Sequence, residues 1–179
     1  MAAQLTLYYG CMFSGKTTAL IQHISALNLK SNELIVLKPA SDNRVSTSHI
    51  TTHNGKKHEC LIHDANMDLN EIITPYTKLI AFDEAQFFDK TFLFDVKKYL
   101  LKGIDFVASG LDKDYLGRPF GLMPLLQTIA THQHHLKAKC EQCGSDAEFS
   151  YRKLDNKVLM LVGGKDYYEP RCQKCFNRV

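Results

Sequence analysis

The chain has 179 residues with 45% hydrophobic and 23% charged side chains, so general disorder is excluded and one ordinary domain with a small appendage is expected. A core at this length buries roughly 70% of the surface of the unfolded chain. The formal charge is +3, from 22 basic and 19 acidic residues, with no block of like charges, which is too weak for a dedicated nucleic-acid binder.

In chain order, Gln4 to Tyr9 reads as a short strand. A glycine-containing turn follows, then a helix from about Lys16 to Leu29, its apolar face formed by Leu20, Ile21, Ile24 and Leu27. Leu34 to Leu37 is a continuous apolar run, as expected for a strand covered on both faces. Pro39 to Lys57 reads as a long polar loop, Cys60 to His63 as a short strand, and Met67 to Ile73 as a short helix ended by Thr74-Pro75. Leu79 to Phe82 is another buried strand. Asp89 to Lys102 is helical, with Phe92, Val96 and Tyr99 or Leu100 inward, and Gly103 stops it. Ile104 to Ala108 is a further strand, and a polar loop from Gly110 to Arg118 leads to a helix near Leu122 to Thr131. Strands alternating with helices imply a mostly parallel sheet with crossover helices. Beyond Lys139 the helical period fades, which places a boundary near residue 137: an α/β domain over 1–137 and a smaller unit over 138–179.

The first ten residues lack a basic start and a long apolar stretch, and no apolar run reaches the roughly 18 residues of a membrane span. A cytoplasmic location, with no membrane partner, is the expectation.

Gly10-Cys11-Met12-Phe13-Ser14-Gly15-Lys16-Thr17 matches the phosphate-loop pattern and sits between a strand and a helix. The glycines let successive backbone N–H groups of Gly10 and Met12 to Thr17 turn toward phosphate oxygens, and the helix start adds its positive end. Lys16 reaches the β- and γ-phosphates, and the Thr17 hydroxyl ligates Mg²⁺. Such a loop needs a carboxylate at a neighbouring strand end to hold the metal shell. Asp83 supplies it, and Glu84 beside it suits a general base that takes a proton from an attacking hydroxyl. Acids at strand ends also cap helices or stay solvated, so this reading leans on the phosphate loop upstream. Asp42-Asn43-Arg44 lies in a loop at the carboxyl edge of the sheet, where Arg44 could neutralise phosphate or orient Glu84. A solvated turn is the commoner outcome for such a triplet.

Of six cysteines, four form the pairs Cys140-x-x-Cys143 and Cys172-x-x-Cys175, which fit a closed, structural Cys₄ zinc site. The 28 residues between the pairs, Gly144 to Arg171, exceed the usual interval and must bulge out. His132, His134 and His135 read as helix-end and surface residues. The enclosed stretch Leu161 to Tyr168, with paired glycines and tyrosines, reads equally as a lid over a flat small molecule or as a surface hairpin with one core tyrosine.

Three classes fit so far: a nucleoside kinase, a phosphate-loop ATPase whose zinc knuckle grips nucleic acid, and a nucleotide switch. Lys137, Lys139, Arg152 and Lys153 would serve the second, but Glu141, Asp146 and Glu148 interrupt them. The third lacks a guanine-specificity motif.

Taken together, the phosphate loop, Asp42-Asn43-Arg44, Phe82-Asp83-Glu84-Ala85-Gln86-Phe87-Phe88, Gly110-Leu111-Asp112, Arg118-Pro119-Phe120-Gly121, both cysteine pairs and Val162-Gly163-Gly164 followed by Tyr168 resemble the type II thymidine kinases over nearly the whole chain. The resemblance implies a RecA-like P-loop NTPase fold with a C-terminal zinc-binding lasso. It implies ATP- and Mg²⁺-dependent phosphorylation of the 5′-hydroxyl of thymidine, and of deoxyuridine, with structural Zn²⁺. In that reading Glu84 is the general base and Arg44 stands near the reacting groups. Met12, Phe87, Leu111, Tyr115, Phe120 and Tyr168 wall the nucleoside pocket, and the main chain of Leu159, Met160, Leu161 and Val162 reads the base. A homotetramer inhibited by thymidine triphosphate is implied as well. The chain departs from the family pattern at Cys11, where Pro or Ala is common, at Ala85, where Gly or Cys is frequent, and at Tyr115, which replaces the more familiar Phe.

Overall fold

The computed structural model describes residues 2–41, 48–52, 55–64, 67–154, 158 and 163–177. The first half runs β1 (Leu5–Gly10), α1 (Lys16–Ala26), β2 (Leu34–Pro39), β3 (His49–Thr51), β4 (Lys57–Glu59), β5 (Leu61–His63), α2 (Leu69–Ile72) and β6 (Leu79–Phe82). A tight turn over Ala85–Phe87 leads to α3 (Phe92–Leu101), β7 (Asp105–Gly110), α4 (Met123–Ile129) and β8 (His132–Leu136). The C-terminal part holds β9 (Ala138–Lys139), β10 (Asp146–Ala147), β11 (Phe149–Arg152), β12 (Tyr168–Arg171) and α5 (Gln173–Phe176).

Six strands form one sheet in the order β5-β2-β6-β7-β1-β8, and every neighbouring pair is parallel. The expected parallel α/β architecture is therefore present. Side chains alternate across each strand, and the two faces bury separate cores. Leu5, Leu7, Ile35, Leu37, Ile80, Phe82, Phe106 and Ala108 pack on one face with Phe92, Val96 and Tyr99 of α3 and Leu126 of α4. Val36, Leu79, Ala81 and Val107 pack on the other with Leu20, Ile21 and Ile24 of α1. The continuous apolar runs in the sequence reflect this double coverage. Because all strands run one way, β1, β2, β6, β7 and β8 end on one edge, where loops can converge on a ligand.

Three expectations change. The first helix ends at Ala26 rather than Leu29, because Asn28 adopts a left-handed φ of 48°, and Leu27 is left 48% exposed. The expected loop from Pro39 to Lys57 contains an antiparallel ribbon, β3 with β4, that buries Ile50 against the α1 core. The sequence carries a turn signal for it in the dipeptide Asn54-Gly55. The histidine-rich stretch forms the edge strand β8, with His134 stacked on Tyr8 at 4.8 Å and His135 on Tyr9 at 4.9 Å. Four of its five side chains are exposed, so its pairing rests on backbone hydrogen bonds that no apolar pattern announces. Among the described residues, no helix is long and apolar enough to cross a membrane.

Candidate active site

The phosphate loop starts where β1 meets the edge strand. Gly10 has φ 147°, and a Cβ there would lie 2.0 Å from the carbonyl oxygen of Leu136, so no other residue fits. The loop closes through Phe13 at φ 66° and Gly15 at φ 85°, and Lys16 and Thr17 open α1. Among the described residues no side chain caps that helix start, which leaves its N–H groups available to an anion. The buried Ser14 hydroxyl has no hydrogen-bond partner among the described residues. Lys16 donates from Nζ to the Cys11 carbonyl at 2.7 Å. Burial depresses the Lys16 pKa, and the neighbouring charges of Glu84, Cys11, Asp83 and Asp112 oppose that shift. The Met12 N–H donates to Ser150 Oγ on β11 at 2.9 Å.

Asp83 and Glu84 follow β6, one strand removed from β1. Thr17 Oγ1 donates to Asp83 Oδ2 at 2.9 Å, and Ser109 Oγ and the Glu84 N–H donate to Oδ1. Asp83 is buried, which raises its pKa to about 6; the charge of Glu84 adds to the rise, and the donated hydrogen bonds from Ser109 and Thr17 oppose it. Glu84 sits at φ 52°, ψ 43°, a left-handed conformation that costs a non-glycine residue about 1–2 kcal/mol. The following turn holds it there through Phe87 N–H to the Glu84 carbonyl at 3.0 Å. Gln86 donates from Nε2 to the Glu84 carboxylate and accepts the Leu111 N–H at 2.9 Å on Oε1. Gln86 is buried, and the sequence reading gave it no role of its own.

These groups share a cavity of about 480 Å³. Met12, Phe13, Lys16 and Thr17 form its floor, Asp83, Glu84 and Leu111 one side, and Gly163 and Gly164 part of the rim. Lys38 at the end of β2 and His49 to Thr52 of the ribbon complete the wall. Sequence reasoning missed both, because one lies in a buried strand and the other in a segment read as a loop. The Thr51 hydroxyl is buried without a partner among the described residues.

The expected nucleoside-pocket residues fall into three groups. Met12 and Leu111 line the cavity. Phe87 and Phe120 meet edge-to-face at 5.6 Å. Tyr115 and Tyr168 are joined by the buried Arg152, whose guanidinium lies 3.6 Å from the centre of the Tyr115 ring. Its Nε and Nη2 donate to the Tyr168 hydroxyl at 3.2 and 2.8 Å, and Nη1 donates to the Val158 carbonyl at 2.5 Å. Asp42, Asn43, Arg44, Leu159, Met160, Leu161 and Val162 lie outside the described residues.

The cysteine pairs converge. The Sγ atoms of Cys140, Cys143, Cys172 and Cys175 all lie within 4.8 Å of one another, with Cys143 and Cys172 at 3.6 Å. Four thiolates around a zinc ion at about 2.3 Å stand about 3.8 Å apart, so this set can close on the metal. Cys11 packs against the same cluster with Ala138 and Ala147, and its thiol donates to the Ala147 carbonyl at 3.3 Å. Burial pushes the Cys11 thiol up from its ordinary pKa, so the departure from the family pattern is a buried packing residue rather than a reactive one.

A family model described as thymidine kinase matches residues 3–176. The chain belongs to the thymidine kinase family. The fold and the cysteine cluster agree with that membership, and a kinase of this family is a phosphotransferase. In this thymidine kinase the residues with phosphate-loop and carboxylate chemistry meet in one cavity. The positions of Gln86, Lys38, Ser150 and Arg152 arise only from tertiary packing.

Proposed function

We propose that this thymidine kinase transfers the γ-phosphoryl group of ATP to the 5′-hydroxyl of thymidine, and of deoxyuridine. One observation carries the proposal: Lys16, Thr17, Asp83 and Glu84 open into the same cavity, with the Thr17 hydroxyl bonded to Asp83. The orphaned Ser14 hydroxyl and the uncapped start of α1 fit a polyphosphate. Thr17 and Asp83 would hold Mg²⁺, which when bound neutralises charge on the β- and γ-oxygens. Lys16 exchanges its Cys11 carbonyl partner for phosphate. Glu84, aimed by its left-handed backbone and by Gln86, accepts the proton of the 5′-hydroxyl as that oxygen bonds to phosphorus and ADP leaves with the bonding electron pair. Arg44 would stand beside the same groups. Met12, Leu111, Phe87, Phe120, Tyr115 and Tyr168, with the main chain of 159–162, would enclose the nucleoside.

We assign 1–137 to the ATP-binding domain and 138–179 to a lasso closed by structural Zn²⁺ on the four cysteines. A cytoplasmic homotetramer inhibited by thymidine triphosphate completes the reading. Of the four basic residues that would serve a nucleic-acid reading, Lys137 pairs with Glu148 at 2.6 Å, Lys139 with Asp146 at 2.8 Å and Arg152 is buried, while Lys153 is exposed.

The test is ATP consumption across the natural nucleosides. Thymidine should be the preferred acceptor and deoxyuridine the next. ATP turnover that DNA stimulates and thymidine does not affect would overturn the assignment.

A further inference from the structure

Lys38 is one of the largest fully buried side chains of the protein, 2% exposed, at the carboxyl end of β2. Lysine is almost never fully buried unless its ammonium group has an electrostatic reason to be there. Strand alternation fixes its direction. Ile35 and Leu37 belong to the α3 face of the sheet and Val36 to the α1 face. Lys38, two residues beyond Val36, leaves the strand on the α1 face, where α1 presents Lys16, Thr17 and Thr18. Its neighbours there are established by backbone pairing. The Asp83 N–H donates to the Leu37 carbonyl at 3.1 Å, which brings the acid pair beside the end of β2. Lys38 lines the cavity together with Lys16, Asp83 and Glu84, and so does Thr51 of β3, whose hydroxyl has no partner among the described residues.

Charge explains why a second cation belongs in that wall. The cavity already contains two carboxylates, and a magnesium-bound triphosphate brings about two further net negative charges. In a partly desolvated site, Lys16 and the proposed Arg44 together still leave part of that excess uncompensated. We propose that Lys38 is a second phosphate-binding cation of this site, donating hydrogen bonds to oxygens of the donor's terminal phosphate groups from the β2–β3 side of the cavity. This rests on the phosphotransfer reading above. Lys38 exchanges no proton: the 5′-hydroxyl proton goes to Glu84, the new bond forms between O5′ and the γ-phosphorus, and the bond to ADP breaks. The ammonium group stabilises the charge that builds on the phosphoryl oxygens.

The experiment uses full-length, zinc-loaded protein carrying Lys38→Met, Lys38→Gln or Lys38→Arg. Calorimetric titration with MgATP, without nucleoside, should show affinity falling about tenfold in the Met and Gln variants and recovering in the Arg variant. Turnover at saturating ATP and thymidine should fall about a hundredfold in the neutral variants, with KM for thymidine within about threefold of wild type. Neutral variants with unchanged ATP affinity and unchanged kcat would overturn the proposal. If they do not melt cooperatively, Lys38→Arg decides: retained ATP affinity supports the proposal, and equal losses of ATP and thymidine affinity overturn it. Because the titration needs no acceptor, it tests Lys38 even if wild-type protein phosphorylates no nucleoside, an outcome that would count against the phosphotransfer reading instead.

Discussion

The Thr17 hydroxyl donates a 2.9 Å hydrogen bond to Asp83 Oδ2 across 66 residues of sequence, tying the first turn of α1 to the end of β6. The bond uses the hydroxyl hydrogen and leaves the oxygen lone pairs for a cation, so the proposed Mg²⁺ position is organised before any ligand arrives. Ser109 and the Glu84 N–H fix the other carboxylate oxygen, so Asp83 cannot rotate away.

That arrangement makes a pH prediction. Asp83 must be ionised to hold a cation, and burial raises its pKa to about 6. At limiting Mg²⁺, cation binding should therefore weaken as pH drops through about 6, and excess Mg²⁺ should move that fall to lower pH. Stability runs the other way. An acid whose folded pKa exceeds its unfolded value of 3.8 binds its proton more tightly when folded, so its contribution to stability falls as pH rises from about 4 to about 6. Asp83→Asn, without metal, should melt higher than wild type at neutral pH, with the difference shrinking toward pH 4, and should lose metal-dependent turnover. A lower melting temperature for this variant at neutral pH would count against the buried-charge explanation.

Glu84→Gln keeps an oxygen that can accept the Gln86 bond and removes the basic carboxylate. We expect kcat to fall about 10²- to 10⁴-fold with MgATP affinity within threefold of wild type. Near-normal kcat would remove Glu84 from the role of base.

The phosphate loop is bonded twice to the part of the chain that carries the cysteine cluster, through Cys11 Sγ to the Ala147 carbonyl and Met12 N–H to Ser150 Oγ. Elemental analysis should give about one zinc per chain, the stoichiometry of a closed Cys₄ site. Chelation should weaken ATP binding as zinc leaves, because a structural site loses its fold with its metal. ATP affinity unaffected by complete zinc release would show the two units to be independent.

Arg152 connects Tyr115, Tyr168 and the Val158 carbonyl. Arg152→Met should raise KM for thymidine about tenfold while leaving KM for ATP near wild type, since the buried Tyr168 phenol and the Val158 carbonyl lose charge-assisted donors. Tyr115→Phe keeps the ring face under the guanidinium and should stay within about twofold of wild type on both constants.

Gly10→Ala places a methyl group 2.0 Å from the Leu136 carbonyl oxygen in a backbone conformation unsuited to alanine. The β1–β8 pairing must spread, and a loss of at least about 2 kcal/mol in denaturant unfolding is expected.

Sequence by itself determined the phosphate loop, the alternating strands and helices and the cysteine pairs. Each is written in local spacing: Gly10 to Thr17 needs its glycines to turn, Leu34 to Leu37 and Leu79 to Phe82 need apolar side chains on both faces, and Cys-x-x-Cys places two thiols on one turn. It also marked Asp83 and Glu84, because acids ending a buried strand downstream of such a loop are conspicuous. Tertiary structure decided what those features meet. His132 to Leu136 became an edge strand through backbone pairing with β1, which leaves no apolar signature. Gln86 gained its position by bonding Glu84 on one side and Leu111 on the other, and Arg152 by lying between residues 115 and 168. Lys38 looked like one charge at the end of an apolar strand. Only the packing of β2 against β6 and the β3 ribbon turns it into a wall of the cavity, because burial and convergence depend on which distant segments become neighbours.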